Sequence, residues 1–457
     1  MSLPEAFIEK YTNLLGEEAP AFFASYNQPA GAGFRINPLR PNPTDVALDL
    51  ADPISYSTWG YRGQVDGNAV DHVSGYVYSQ EPSAQVVGAV ANAQPNTRVL
   101  DLCAAPGGKS THLASAMGNT GLLVANEIHP LRAKILAGNL ERFGVRNAIV
   151  TNTDPDSLAV MTPEFFDMIL VDAPCSGEGM FRKDSDAIQY WHPQYAAECA
   201  TRQREILNAA LLMLKPGGIL VYSTCTFAPE EDEQIVDWLV TEHDMRIDPI
   251  TRTADMRPGR PDWASGRSEL AGTARMWPHV QHGEGHFVAR LIKPGVAIQE
   301  SEPKKAKKNK KQRQHAVSSI TADQRQLWQA WATANLTVTP DDGAFITYGD
   351  QLYLTPNGVP KFGRVKVLRP GLHLGTFKKN RFEPSHSLAT ALVPEAFKCV
   401  IDVTDEEFVA YRHGLTLARP DQSGKFFALL VNHGKGFAVG HLVNGTVKNL
   451  YPKGLRN

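Results

Sequence analysis

The sequence predicts an α/β protein whose main domain is a doubly wound, mostly parallel sheet covered by helices on both faces. Three observations predict it. Short, continuous apolar runs recur between residues 97 and 293, helical patterns separate them, and a Gly-rich turn follows the first run. The strand candidates are 98–102, 121–126, 147–151, 167–172 and 218–223. Continuous apolar runs such as MILV and ILVY suit strands buried on both faces. The helix candidates are 109–117, 130–142, 194–214 and 230–242, and the run HFVARLI at 286–292 can add an edge strand.

Outside this region the character changes. Residues 1–75 begin with helical-looking segments and turn rich in Pro, Gly and Asn, and residues 301–314 are basic and non-apolar, as in an exposed linker. Residues beyond 319 carry short β-like runs punctuated by Gly. The division expected is 1–75, 76–294, a linker at 295–318, a small α/β unit at 319–389 and a β-rich unit at 390–457.

The chain has 457 residues with a net charge of −2, so a nucleic-acid partner needs a local basic surface. No apolar run approaches the ~20 residues that cross a bilayer, and the start MSLPEAFIEK has no signal-peptide pattern, so a cytoplasmic protein is expected. Five cysteines without a CxxC pair suggest neither a disulfide framework nor a zinc site.

The segment Asp101-Leu102-Cys103-Ala104-Ala105-Pro106-Gly107-Gly108-Lys109-Ser110 joins the first strand to its helix. Small residues there let the backbone approach a ligand at the carboxyl edge of the sheet. A Walker A loop needs glycine where Cys103 stands, and the GxGxxG of a dinucleotide loop is absent. Glu127 closes the second strand about 20 residues on, where an acid can accept both hydroxyls of a ribose. Asp154 follows the third strand and can accept from an adenine amino group, although beside Pro155 it also fits a plain turn. Asp172 ends the fourth strand, where the reactive end of a nucleoside cofactor would meet a substrate.

Cys175 and Cys225 each follow an apolar strand directly, so both should reach one cleft. Free cysteines are commonly small core residues. Two at neighbouring active-edge loops instead suit covalent catalysis on a pyrimidine. A thiolate adding at carbon 6 of cytosine makes carbon 5 nucleophilic toward a methyl sulfonium. A protonated Asp172 could donate to ring nitrogen N3. On this ground alone either cysteine can attack, and Cys175 as attacker would fit a DNA cytosine-5 methyltransferase.

These blocks, Gln80-Glu81-Pro82-Ser83, DLCAAPGGKS, the Glu127 strand, Asp154, DAPCSGEGMFRKD and YSTCTFAPEEDE, together resemble the RNA (cytosine-5) methyltransferases of the Sun type. GEGMFRKD and the ending LYPKGLR resemble the branch of bacterial F-type 16S ribosomal RNA methyltransferases. The resemblance implies a Rossmann-like class I methyltransferase domain between an N-terminal RNA-binding extension and a C-terminal PUA-like domain. It implies that Cys103 to Lys109, with Glu127, Asp154 and Asp172, bind S-adenosyl-L-methionine. It makes Cys225 the nucleophile and gives Cys175 a part in releasing the product. Arg132 resembles an arginine near the cofactor, and Arg35 and Asn37 resemble an N-terminal motif. The implied partner is 16S ribosomal RNA in the small subunit, acted on by a monomer. A non-catalytic RNA-binding assembly factor that retains the fold is the other class of reading.

Arg182 and Lys183 flank the expected cleft and are candidates for RNA phosphates, as is the basic run 304–313. His279, His282 and His286 have no spacing that fixes a tetrahedral site, so no metal is expected. Trp328 and Trp331 stand at i, i+3 and are expected to pack in a core.

Overall fold

The computed structural model describes residues 3–183, 186–281, 283–295 and 318–456. The basic run 304–313 and His282 lie outside them. Three strands, β1 (Gly33–Ile36), β2 (Gly60–Arg62) and β3 (Val77–Ser79), form a small antiparallel sheet in the order β2-β1-β3. Its third strand lies beyond residue 75. Two helices, Glu5–Leu15 and Ala19–Ser25, precede it.

The central sheet takes β4 (Arg98–Asp101), β5 (Leu122–Asn126), β6 (Ala148–Asn152), β7 (Phe166–Asp172) and β8 (Leu214–Thr224) in the order β8-β7-β4-β5-β6, all parallel. Their side chains are almost wholly buried, as apolar runs without alternation require. Helices Gly108–Ala116, Pro130–Arg142 and Tyr195–Met213 link or flank them, close to the expected spans. The order reverses at β4, the first strand of the domain. The carboxyl ends of β4 and β7 therefore open a crevice, where such sheets bind ligands.

The two flanks depart from expectation. Short strands β9 (Arg246–Ile247), β10 (Arg257–Pro258) and β11 (Ala274–Met276) precede β12 (His286–Ile292). The run 286–292 is not an edge strand. It pairs antiparallel with β8 on one side and with β9 and β11 on the other, and β10 lies outermost. At the opposite flank Lys366–Arg369 pairs antiparallel with β6, so the segment after the linker completes the catalytic sheet. Arg369 is buried there and donates to the carbonyls of Ala148 (3.0 Å) and Val145 (2.5 Å).

Two five-stranded sheets complete the chain. The first packs on helix Ala322–Asn335, where Trp328 and Trp331 are buried and stacked with centroids 5.6 Å apart, as their spacing predicts. A Thr321–Gln324 capping box starts that helix. The second, built around the hairpin Lys425–Asn432 and Lys435–Val443, docks on the N-terminal part. Lys435 and Asp71 form a buried ion pair at 2.8 Å, and Arg412 donates to the Asn68 carbonyl at 3.0 Å.

Candidate active site

An acid stands at or just past the end of each of β4 to β7: Asp101, Glu127, Asp154 and Asp172. Between β4 and its helix, Cys103 to Gly107 form a tight turn in which Gly107 has φ +116°, a conformation that excludes most side chains, and Gly108 and Lys109 open the helix. The N-terminal part braces this turn. Buried Arg35 donates to Gln80 Oε1 (2.7 Å), the Gly108 carbonyl (2.7 Å) and Thr111 Oγ1 (2.6 Å). Arg132 donates to the Ala105 carbonyl at 2.8 Å and stands 3.6 Å from Glu127. Pro106, by contrast, is exposed.

Whether these residues fit a nucleoside carrying a cationic amino acid is decided by their acceptors. Asp101 is fully buried and accepts from Ser110 Oγ (2.6 Å), while its other oxygen has no partner among the described residues. Burial pushes its carboxyl up to about 7. A cationic ligand would relieve that cost. Glu127 is buried and accepts the His129 amide at 2.8 Å, which aims its carboxylate back over the strand end. Asp154 is exposed and caps helix Pro155–Met161 by accepting the Ser157 amide at 2.8 Å, and that bond holds its carboxyl below the ordinary value. The donor set fits the group.

Register brings the two sulfurs together. Asp172 of β7 pairs with Ser223 of β8, so the loops that follow start side by side. Cys175 Sγ and Cys225 Sγ are 3.3 Å apart, and the Cys225 amide donates to Cys175 Sγ at 3.3 Å. The hydrogen bond to Cys225 and then burial push the Cys175 thiol well up. Burial likewise pushes up the thiols of Cys103 and Cys199.

Lys109 Nζ lies 2.7 Å from Asp172 Oδ2, and Ser223 Oγ donates to Asp172 Oδ1 at 2.7 Å. Burial opposes the Lys109 charge, but Asp172, then the Cys225 sulfur and Asp101, raise its pKa above the ordinary value. This corrects the donor's part toward the ring expected of Asp172: both its oxygens are instead taken up as acceptors, by Lys109 and Ser223.

Arg182 also differs from expectation. It is buried against Glu284 (3.1 Å) and donates to the carbonyls of Ser25 (3.1 Å) and Gly283 (2.5 Å), so it ties three segments together instead of facing RNA. Lys183 is exposed. His279 packs beside Glu18 and His286 beside Ser83, and no metal-binding cluster occurs among the described residues.

Two buried acids were not legible as site residues. Glu178 accepts from Trp191 Nε1 (2.8 Å) and Thr226 Oγ1 (2.9 Å), and also from Tyr11. With the Gly179 amide on the Cys225 carbonyl (2.9 Å), it fixes the chain around Cys225. Glu231 accepts the Ser176 amide next to Cys175. The sequence singles out neither, and Glu231 falls inside the helix expected over 230–242.

Comparison with known proteins settles the family. Ribosomal RNA small subunit methyltransferase F of Vibrio vulnificus is 31% identical over 99% of this chain and 97% of its own length. The chain belongs to that family. The enzyme of the same name from Vibrio campbellii is 32% identical over the same shares. The family model for the 16S rRNA methyltransferase RsmB/F matches residues 89–292. Models for the RsmF N-terminal domain, first C-terminal domain and PUA domain match 3–82, 330–392 and 398–457. A methyltransferase homologue from Pyrococcus horikoshii has a TM-score of 0.56 and 29% identity over 64% of this chain and 95% of its own. As a family member, the chain is an rRNA methyltransferase that uses S-adenosylmethionine. No helix among the described residues is long and apolar enough to cross a membrane.

Proposed function

We propose that the chain methylates carbon 5 of cytosine in 16S rRNA of the small subunit, as a cytoplasmic monomer, with Cys225 as the nucleophile. One observation carries this reading: two cysteine sulfurs 3.3 Å apart at the ends of neighbouring strands. Attack requires one of them as the thiolate, and the block YSTCTFAPEEDE gives that part to Cys225 by its resemblance to the RNA enzymes. The acids at the ends of β4 to β6 and the turn 103–109 hold S-adenosylmethionine, which supplies an electrophilic methyl group.

Cys225 adds to carbon 6, and carbon 5 takes the methyl group, with S-adenosylhomocysteine as the leaving group. The Lys109 ammonium, oriented by Asp172, stands by to stabilise charge that develops on the ring. A solvent base then takes the carbon 5 proton, the C5–C6 double bond re-forms and the carbon–sulfur bond breaks with its electron pair on Cys225, Cys175 assisting that release. The target base has to leave its stack to reach the crevice. The Tyr11–Phe22–Phe227–Trp277 cluster anchors the N-terminal helices against the loop after Cys225. The N-terminal unit and the PUA unit flank the catalytic sheet as RNA-binding surfaces, with divisions near residues 75, 295, 318 and 390.

The test is trapping. Cys175→Ala should accumulate a covalent enzyme–RNA adduct in the presence of the methyl donor, and Cys225→Ala should form none. An adduct that needs Cys175 and not Cys225 overturns the assignment.

A further inference from the structure

Glu231 lies in the segment after the Cys225 loop and is wholly buried, with no cation among its hydrogen-bond partners. Its Oε2 accepts the Ser176 amide at 3.0 Å and Gln203 Nε2 at 2.8 Å, and its Oε1 has no partner among the described residues. Gln203 Nε2 also donates to the Pro174 carbonyl at 3.1 Å. Both peptide groups that flank Cys175 are therefore held from one carboxyl group, directly on one side and through Gln203 on the other. Tyr222 of β8 stands over the assembly, its hydroxyl within donating distance of Gln203 Oε1 (2.9 Å) and of the Glu231 carbonyl (2.6 Å), one at a time.

A buried carboxyl without a counter-ion is costly. The groups that face Glu231 are Ser176, Gln203 and Tyr222, with Glu178, Asp232, Cys175 and Cys199 near enough to act through their charge. Burial first, and the neighbouring acids after it, push its carboxyl up to about 8. The hydrogen bonds from Ser176 and Gln203 offset part of that cost, so the carboxyl serves as a fixed acceptor for the segment that carries Cys175.

We propose that Glu231 is the positioning residue of Cys175: it clamps the Pro174–Ser176 backbone and so keeps the two sulfurs in contact and distinct in role. Cys225 has further anchors of its own in Glu178 and the Gly179 amide. Loss of Glu231 should therefore impair the step served by Cys175 and spare the attack by Cys225. This inference rests on the roles given to the two cysteines under Proposed function.

The experiment compares Glu231→Gln, Glu231→Ala and Gln203→Leu with Cys175→Ala and the parent, each as the full chain on small-subunit rRNA. Covalent adduct, turnover and KM are measured, together with cross-linking of the two thiols by dibromobimane. Glu231→Ala should accumulate adduct and lose about tenfold in kcat with KM little changed, the effect of losing a buried hydrogen-bonded clamp. Its thiol cross-linking should fall, Gln203→Leu should follow it, and Glu231→Gln should recover part of both readouts. Wild-type turnover and cross-linking in Glu231→Ala would overturn the proposal. So would loss of adduct formation altogether, because that marks damage to the Cys225 side. If Glu231→Ala does not fold, Gln203→Leu decides by the same readouts. If Cys175→Ala itself gives no adduct, the reading of the two cysteines fails. If it gives adduct and the Glu231 and Gln203 variants behave as the parent, only the present inference fails.

Discussion

Replacing Arg35 by lysine tests how the N-terminal unit governs the cofactor turn, 73 residues away in sequence at Gly108. Arg35 is 1% exposed and donates to Gln80, Gly108 and Thr111 at 2.6–2.7 Å, over the rings of Tyr78 and Phe143. Burial lowers its pKa to about 10, which leaves it charged at neutral pH. A single ammonium cannot reproduce the guanidinium fork, so lysine keeps about one of the three bonds. Hydrogen bonds from a charged donor contribute about 1.5–3 kcal/mol each. Losing two and allowing for non-additivity gives a local cost of about 3–4 kcal/mol. Hydrogen exchange of the 101–113 segment should then accelerate at least about tenfold, and the Kd for S-adenosylmethionine in calorimetry should rise by a similar factor. Exchange and affinity both within twofold of the parent would show that Arg35 does not hold the turn.

Asp172→Asn leaves the Lys109 ammonium without its partner, and the methylation rate should fall about a hundredfold in single-turnover assays. A rate near wild type would remove the pair from the chemistry. Lys435→Met strands the Asp71 carboxylate, which keeps only the Ala47 amide at 2.8 Å. Docking of the C-terminal sheet should weaken by about 3 kcal/mol, read as faster exchange in segments 68–73 and 432–436. Unchanged protection there would contradict it. His286 is buried beside Ser83, and burial lowers its pKa from 6.5 to about 4. Between those values the unfolded chain binds more protons, so the contribution is complete above pH 6.5 and is lost as pH falls through 4. It amounts to about 3 kcal/mol. Acid unfolding of His286→Asn should lack that slope, and an unchanged profile would refute the assignment.

Much of this was legible in the chain. Apolar runs of five to seven residues announced β5, β6 and β7, and the carboxyl-edge rule placed Asp172, Cys175 and Cys225 in one cleft before any coordinate. The flanks were not legible. The run 286–292 has the composition of any buried strand, and nothing local says that β9, β10 and β11 lie beyond it. Lys366–Arg369 is four residues with two charges, and its strand character comes from β6. Arg182 in a polar loop read as a phosphate ligand because burial by Glu284 and the first helices is a tertiary fact. The same holds for Glu178 and Glu231, whose roles depend on partners far along the chain. Asp172 ends its strand as expected, but its contact with Lys109 is one the sequence brings near without fixing.

The central claim concerns which sulfur becomes bonded to RNA. Small-subunit rRNA transcribed with 5-fluorocytidine, incubated with the wild-type chain and S-adenosylmethionine, should arrest the reaction after methyl transfer, because no proton can leave carbon 5. Digestion and mass spectrometry should then find the nucleotide on the peptide that carries Cys225. A nucleotide attached at Cys175, or methylation of ordinary rRNA with no arrested complex from the fluorinated one, would contradict the account.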